Sequence, residues 1–151
     1  MSRRWAILSI LTAVLITILV IYLTPLKWLY VTEPQPKDID PVAFQADFTA
    51  HPDKYVFLDV RSSDVYDRLH AKGAKNEPIG NLFDDHYGLP KSGKTIVLIC
   101  SSGRLAGVAY GYLEHQGFLN LLRIKGGTQG WVLEKLPVEG SNLNAPIPQV
   151  D

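Results

Sequence analysis

The sequence predicts an α/β domain, with a mostly parallel central sheet flanked by helices, behind a single N-terminal transmembrane helix. Three observations predict it. From residue 39 onward, short apolar runs alternate with stretches of helical spacing, the pattern of a parallel sheet with crossover helices. The most apolar of these runs, "KTIVLIC" at 94–100, suits a central strand buried on both faces. Ahead of them all stands "WAILSILTAVLITILVIYL", residues 5–23, without a single charge.

That first segment reaches roughly 28 Å at ~1.5 Å per residue, close to a hydrocarbon core. Its hydroxyls, on Ser9, Thr12 and Thr17, can bond back within a helix. Trp5 marks one end and Tyr22, Trp28 and Tyr30 the other, as interfacial aromatics do. The apolar run is longer than a usual signal-peptide core and lacks an Ala-x-Ala cleavage site, so a retained anchor is expected over residues 1–30. The chain has 15 basic and 15 acidic side chains. Arg3, Arg4 and Lys27 fall in the first thirty residues, which hold no acid. The positive-inside rule then puts the N-terminus in the cytoplasm and the domain on the outer, periplasmic face of a single-pass protein.

Residues 31–38 open a proline-bearing, charged stretch and read as a linker. The folded domain is expected over 39–140, with a loose tail at 141–151. Asp40 followed by Pro41 is a helix start: a capping acceptor, then a proline in the first turn. "KYVFLDV" at 54–60 reads as a buried strand. "SSDVYDRLH" follows as a short helix capped by Ser62 or Ser63. After the central strand, "RLAGVAYGYLEHQGF" is a helix closing at Gln116-Gly117. "LNLLRI" is a further strand, and "GTQGWVLEKL" a final helix stopped by Pro137, with Trp131 in the core.

The remainder is mildly acidic, and no basic patch interleaved with aromatics suggests a nucleic-acid partner. One cysteine, Cys100, excludes an internal disulfide and a Cys-x-x-Cys pair. His51, His86 and His115 show no metal-ligand spacing, and no cofactor or metal is expected. Cys100 lies where the central strand ends, and ligands of parallel sheets sit at the carboxyl edge of the strands. Ser101, Ser102 and Gly103 then form a tight turn whose amides can point inward, and a helix starts near Arg104 with its positive end toward the thiol. Gly103 leaves the cradle open, and Arg104 adds a cation for an oxyanion. These residues describe an activated thiolate beside an anion pocket. The other reading of a cysteine ending a buried strand is inert packing.

Four segments stand in order along the chain: Asp59-Val60-Arg61; the His-x-x-Gly-Ala-x-Asn-x-Pro stretch at His70, Gly73, Ala74, Asn76 and Pro78; the Cys100 loop; and Gly126-Gly127 with Trp131 and Pro137-Val138. Together, over about Ile39 to Val138, they resemble the rhodanese (sulfurtransferase) family. The loop departs from the commoner pattern. Gly103 and Ala106 fit, but Arg104 comes one place early and Leu105 occupies a position where arginine is commoner. This order is similar to that of small phage-shock-type rhodaneses.

The resemblance implies a ping-pong transfer. Cys100 takes sulfane sulfur from thiosulfate or a polysulfide, carries it as a persulfide, and yields it to cyanide, a thiol or a protein acceptor. It implies a cradle of backbone groups at Ser101, Ser102, Gly103, Arg104, Leu105 and Ala106, with Asp59, Arg61, His70, Gly126 and Gly127 in structural support. A phosphatase-like relative would need arginine six places after the cysteine, where Ala106 stands. A membrane-tethered adaptor or persulfide sensor with little turnover is the alternative from another class.

Overall fold

The computed structural model describes residues 3–23, 35–86, 88–144 and 146–147. It divides into two compact units, residues 1–35 and 36–151. Lys27, Trp28 and Tyr30, residues 31–34 of the linker, and residues 145 and 148–151 of the expected tail lie outside the described residues.

In the first unit, α1 spans Arg3–Leu23. The hydroxyls of Ser9, Thr12 and Thr17 donate to the carbonyls of Ala6, Leu8 and Ala13 at 2.8–2.9 Å. These three hydroxyls are satisfied within the helix, as a lipid environment would require. The stretch Arg3–Val20 is long and apolar enough to cross a membrane, and none of it is buried.

The second unit holds the strands β1 (Asp38–Ile39), β2 (Tyr55–Asp59), β3 (His70–Ala71), β4 (Lys75–Asn76), β5 (Thr95–Ile99), β6 (Leu121–Ile124) and β7 (Val138–Glu139). Its helices are α2 (Pro41–Ala50), α3 (Ser63–Arg68), α4 (Ile79–Asp84), α5 (Arg104–His115) and α6 (Gly127–Leu133). The main sheet runs β1-β6-β5-β2-β4, every pair parallel, and β3 pairs with β7 in a small antiparallel sheet.

Side chains of β5 alternate between two cores, as the period of a strand demands. Ile96, Leu98 and Cys100 face one cluster with Leu82 of α4 and Ala106, Ala109, Tyr110 and Leu113 of α5. Val97 and Ile99 face the other, with Phe44 of α2, Phe57 of β2 and Trp131 of α6. Cys100 therefore shares a face with the helix that follows it. Phe57 stands 4.8 Å from Phe44 and 5.7 Å from Trp131, centroid to centroid, and the indole donates to the Pro137 carbonyl.

The cap at Asp40 forms as expected, its carboxylate accepting from the Val42 and Ala43 amides at 3.0 Å. Ser62 occupies the cap position of α3, but its hydroxyl bonds to the Asp64 carboxylate and not to a helix amide. The last helix ends at Leu133, short of Pro137, because Lys135 turns into the left-handed region at φ 55°. The amides of Ser141 and Asn142 donate to the Asp67 and Arg68 carbonyls at the end of α3.

Candidate active site

The chain leaves β5 at Ile99 and enters α5 at Arg104, so four residues must reverse it at the carboxyl edge of the sheet. Gly103 makes the turn at φ 100°, a conformation that costs other L residues. In doing so it aims its N–H at the Cys100 sulfur, 3.1 Å away. The Ala106 N–H, in the first turn of α5, donates to the same sulfur at 3.3 Å. Two amides thus converge on one Sγ at the positive end of a helix, where negative charge is favoured. Burial works in the opposite sense, since Cys100 is 0% exposed.

The carbonyls of the loop are held from behind by α6. Thr128 donates to the Cys100 carbonyl twice, from its amide at 2.7 Å and its hydroxyl at 3.1 Å. The Gln129 amide donates to the Ser101 carbonyl at 3.0 Å. This approach explains the glycine pair. Gly127 has φ 59°, and a Cβ there would collide with the Cys100 carbonyl oxygen and come within 2.7 Å of the Ser101 carbonyl oxygen. Gly126, at φ 72°, starts the helix in the left-handed region. The Ser101 hydroxyl is buried and has no hydrogen-bond partner among the described residues.

Asp59 ends β2 beside the loop strand, Arg61 follows just beyond it, and the two form a buried ion pair. Arg61 Nε lies 2.8 Å from Oδ1 and Nη2 2.5 Å from Oδ2, and Nη2 also reaches the Leu69 carbonyl at 2.9 Å. Asn76 Nδ2 donates to the carbonyls of Asp59 and Arg61 at 3.1 and 2.8 Å. These bonds lock the β2 end and the stretch from His70 to Pro78. His70 lies on β3, stacked on Tyr66 with Nδ1 2.8 Å from the Tyr66 carbonyl. His51 pairs with Asp47 and His86 with the Tyr112 hydroxyl. Among the described residues no three His, Cys, Asp or Glu side chains gather to hold a metal ion.

The loop residues therefore come together as the sequence suggests, in a different division of labour. Arg104 is exposed at the helix start, and Leu105 packs half-buried against the core cluster that contains Cys100. Sequence reasoning missed Thr128 and Gln129, which hold the loop, and Arg123, whose Nη1 donates to the Gly103 carbonyl at 3.2 Å. Arg123 is clamped by Asp38, directly opposite in register on β1. The hydrogen-bonded Asp38 carboxylate, and beyond it the negative charge of a Cys100 thiolate, raise the guanidinium above its ordinary value against the effect of partial burial. A lone arginine inside an apolar strand run was the available signal, but its partner lies 85 residues away.

Residues 45–134, more than half of the chain, match the family model of the rhodanese-like domain. A probable molybdopterin-synthase adenylyltransferase of Porphyra purpurea is 32% identical over 96 residues, covering 63% of this chain and 25% of that protein. The thiosulfate sulfurtransferase GlpE of Glaesserella parasuis is 30% identical over 88 residues, covering 56% of this chain and 77% of the relative. A rhodanese-related protein of Thermoplasma volcanium superposes with a TM-score of 0.58 at 28% identity, over 70% of this chain and 99% of the other. The chain spans only a quarter to a third of the first curated relatives it matches. A parallel sheet with its cysteine loop buttressed by α6, and a family match over residues 45–134, lead to one assignment: the chain belongs to the rhodanese-like domain family.

Proposed function

We propose that this protein is a membrane-tethered sulfurtransferase that carries sulfane sulfur on Cys100. One observation carries the reading. The chain's single thiol receives two convergent backbone N–H donors, at 3.1 and 3.3 Å, in a loop at the start of a twelve-residue helix. That arrangement favours the thiolate, which is the nucleophile.

The thiolate attacks the outer sulfur of thiosulfate. A Cys100 S–S bond forms, the bond to the sulfonate sulfur breaks, and sulfite leaves with the bonding pair. The enzyme is left as a persulfide anion. Cyanide or a thiolate then attacks the terminal sulfur, and the electron pair returns to Cys100. The charge that returns to Cys100 Sγ is held by the fixed Gly103 and Ala106 amides, which need no reorganisation. A small molecule or a protein thiol can serve as acceptor. In the same reading the rhodanese-like unit covers 39–140. Helix α1 is its retained anchor, with the N-terminus on the cytoplasmic side and the domain on the outer face.

The test is thiocyanate formation from thiosulfate and cyanide by the full chain in detergent micelles. Turnover that disappears in Cys100→Ser supports the reading, and equal rates in the two proteins reject it. A second reading, a binding or persulfide-sensing module with little turnover, is favoured by the complete burial of Cys100. There, Cys100→Ser leaves partner binding intact, and wild-type turnover stays near background.

A further inference from the structure

Arg123 is an unusual occupant of β6, a strand otherwise made of Leu121, Leu122 and Ile124. Its guanidinium is fixed at both ends. Nε and Nη2 bond the two carboxylate oxygens of Asp38 at 2.7 and 3.0 Å, and Nη1 donates to the Gly103 carbonyl at 3.2 Å. Gly103 is the residue whose N–H points at the Cys100 sulfur. Its carbonyl is also the acceptor of the Gly107 amide at 3.0 Å, the bond that opens α5. One glycine thus presents its donor to the sulfur and its acceptor to the arginine.

The fold makes room for this contact. A Cβ on Gly107 would come within 2.8 Å of Arg123 Nη1. Glycine inside a helix is unfavourable relative to alanine, and here it leaves the space that the guanidinium fills. Two separate features, the Asp38 clamp and the glycine gap in α5, serve one bond to the loop.

We propose that Arg123 is a positioning residue for the Cys100 thiolate. By pinning the Gly103 carbonyl it holds the Gly103 and Ala106 amides on the sulfur, and it places a fixed cation behind the loop. Asp38 orients the guanidinium, and Gly107 admits it. This rests on Cys100 being the reacting group proposed above. The effect of the Cys100 charge on Arg123 has its counterpart by linkage: what favours the guanidinium beside the thiolate favours the thiolate beside the guanidinium.

The test uses the full chain in micelles with three substitutions, Arg123→Met, Arg123→Lys and Gly107→Ala. Three quantities are read: the titration of the single thiol by carbon-13 NMR of labelled Cys100, kcat and KM for sulfur transfer, and the melting temperature. Arg123→Met should raise the apparent thiol pKa by roughly half to one unit, a range set by loss of one nearby charge. It should lower kcat about tenfold, with KM changed less. Arg123→Lys should recover most of the titration shift, because the charge is kept. Gly107→Ala is the decisive variant. Its added methyl meets the end of one side chain and no backbone atom, so it should push the guanidinium off the loop while the fold holds, and the thiol pKa should rise and kcat fall. The proposal is overturned if folded Gly107→Ala titrates and turns over like wild type, or if folded Arg123→Met does. Should Arg123→Met fail to fold, Gly107→Ala decides alone. Should the wild type transfer no sulfur, the sulfurtransferase reading fails, yet the thiol titration still shows whether Arg123 acts on Cys100.

Discussion

Replacing Gly127 with alanine should collapse the support of the cysteine loop. The residue sits at φ 59°, where an L side chain costs about 1–2 kcal/mol. Its new Cβ would collide with the Cys100 carbonyl oxygen and stand 2.7 Å from the Ser101 carbonyl oxygen and 2.8 Å from the Ser101 carbonyl carbon. All are backbone atoms, so no side chain can swing away. The separation of loop and helix must widen, which strains the Thr128 and Gln129 bonds to the loop carbonyls. Loss of even one or two buried bonds of this kind adds about 1–3 kcal/mol. The expected total is about 3–5 kcal/mol, at the upper end of single substitutions. For a domain of this size that lowers the melting temperature by more than about 10 °C. Thermal unfolding of the full chain in micelles, followed by circular dichroism, measures it. Thr128→Val is the comparison, since it removes only the hydroxyl bond and should cost about 1 kcal/mol. A Gly127→Ala protein within about 1 kcal/mol of wild type would refute the buttress argument, because it would show that loop and helix are not held at the distance described.

Three further outcomes are expected. Arg61→Met leaves the Asp59 carboxylate buried without its ion partner and should destabilise by about 3–5 kcal/mol in chemical unfolding; a change below about 1 kcal/mol contradicts the structural role of the pair. The Asp47 carboxylate is held below its ordinary value of 3.8, first by the Tyr55 hydroxyl and then by His51. A depressed acid stabilises the fold fully above its unfolded value and loses that contribution as pH falls through the lower folded value. Tyr55→Phe should therefore flatten the acid limb of the stability profile, and an unchanged profile rejects the link. Leu105→Ala, thinning the half-buried side chain packed on the Cys100 cluster, should speed iodoacetamide alkylation of Cys100 severalfold; an unchanged rate shows that Leu105 does not gate the thiol.

How legible the protein was depends on the range of the interactions involved. The strand Thr95–Ile99 and the helix after it were plain, because a buried parallel strand and a glycine-opened helix are written in consecutive residues. The two-residue strands at 38–39, 70–71, 75–76 and 138–139 were not, since two residues carry no periodicity and exist only through their partners. Helix α4 also escaped, for Ile79–Asp84 has no capping side chain to announce it. At the site, Cys100 and Gly103 could be read because the turn chemistry is local. Arg104 drew the eye as the cation next in sequence, while the arginine that bonds the loop is Arg123, brought there by the pairing of β1 with β6. The glycine pair could be seen, but its reason could not: the surface it must approach is the backbone of Cys100 and Ser101, far upstream in sequence and visible only once the sheet is folded.

The central claim is that Cys100 is a sulfur carrier, and intact mass spectrometry tests it most directly. The full chain is incubated with thiosulfate, freed of excess donor, and weighed beside Cys100→Ser. The account predicts one added sulfur atom on the wild type, removed by cyanide, and none on the variant. A wild-type mass unchanged after both thiosulfate and polysulfide would contradict it and leave the amide-lined thiol as a packing or binding element of the fold.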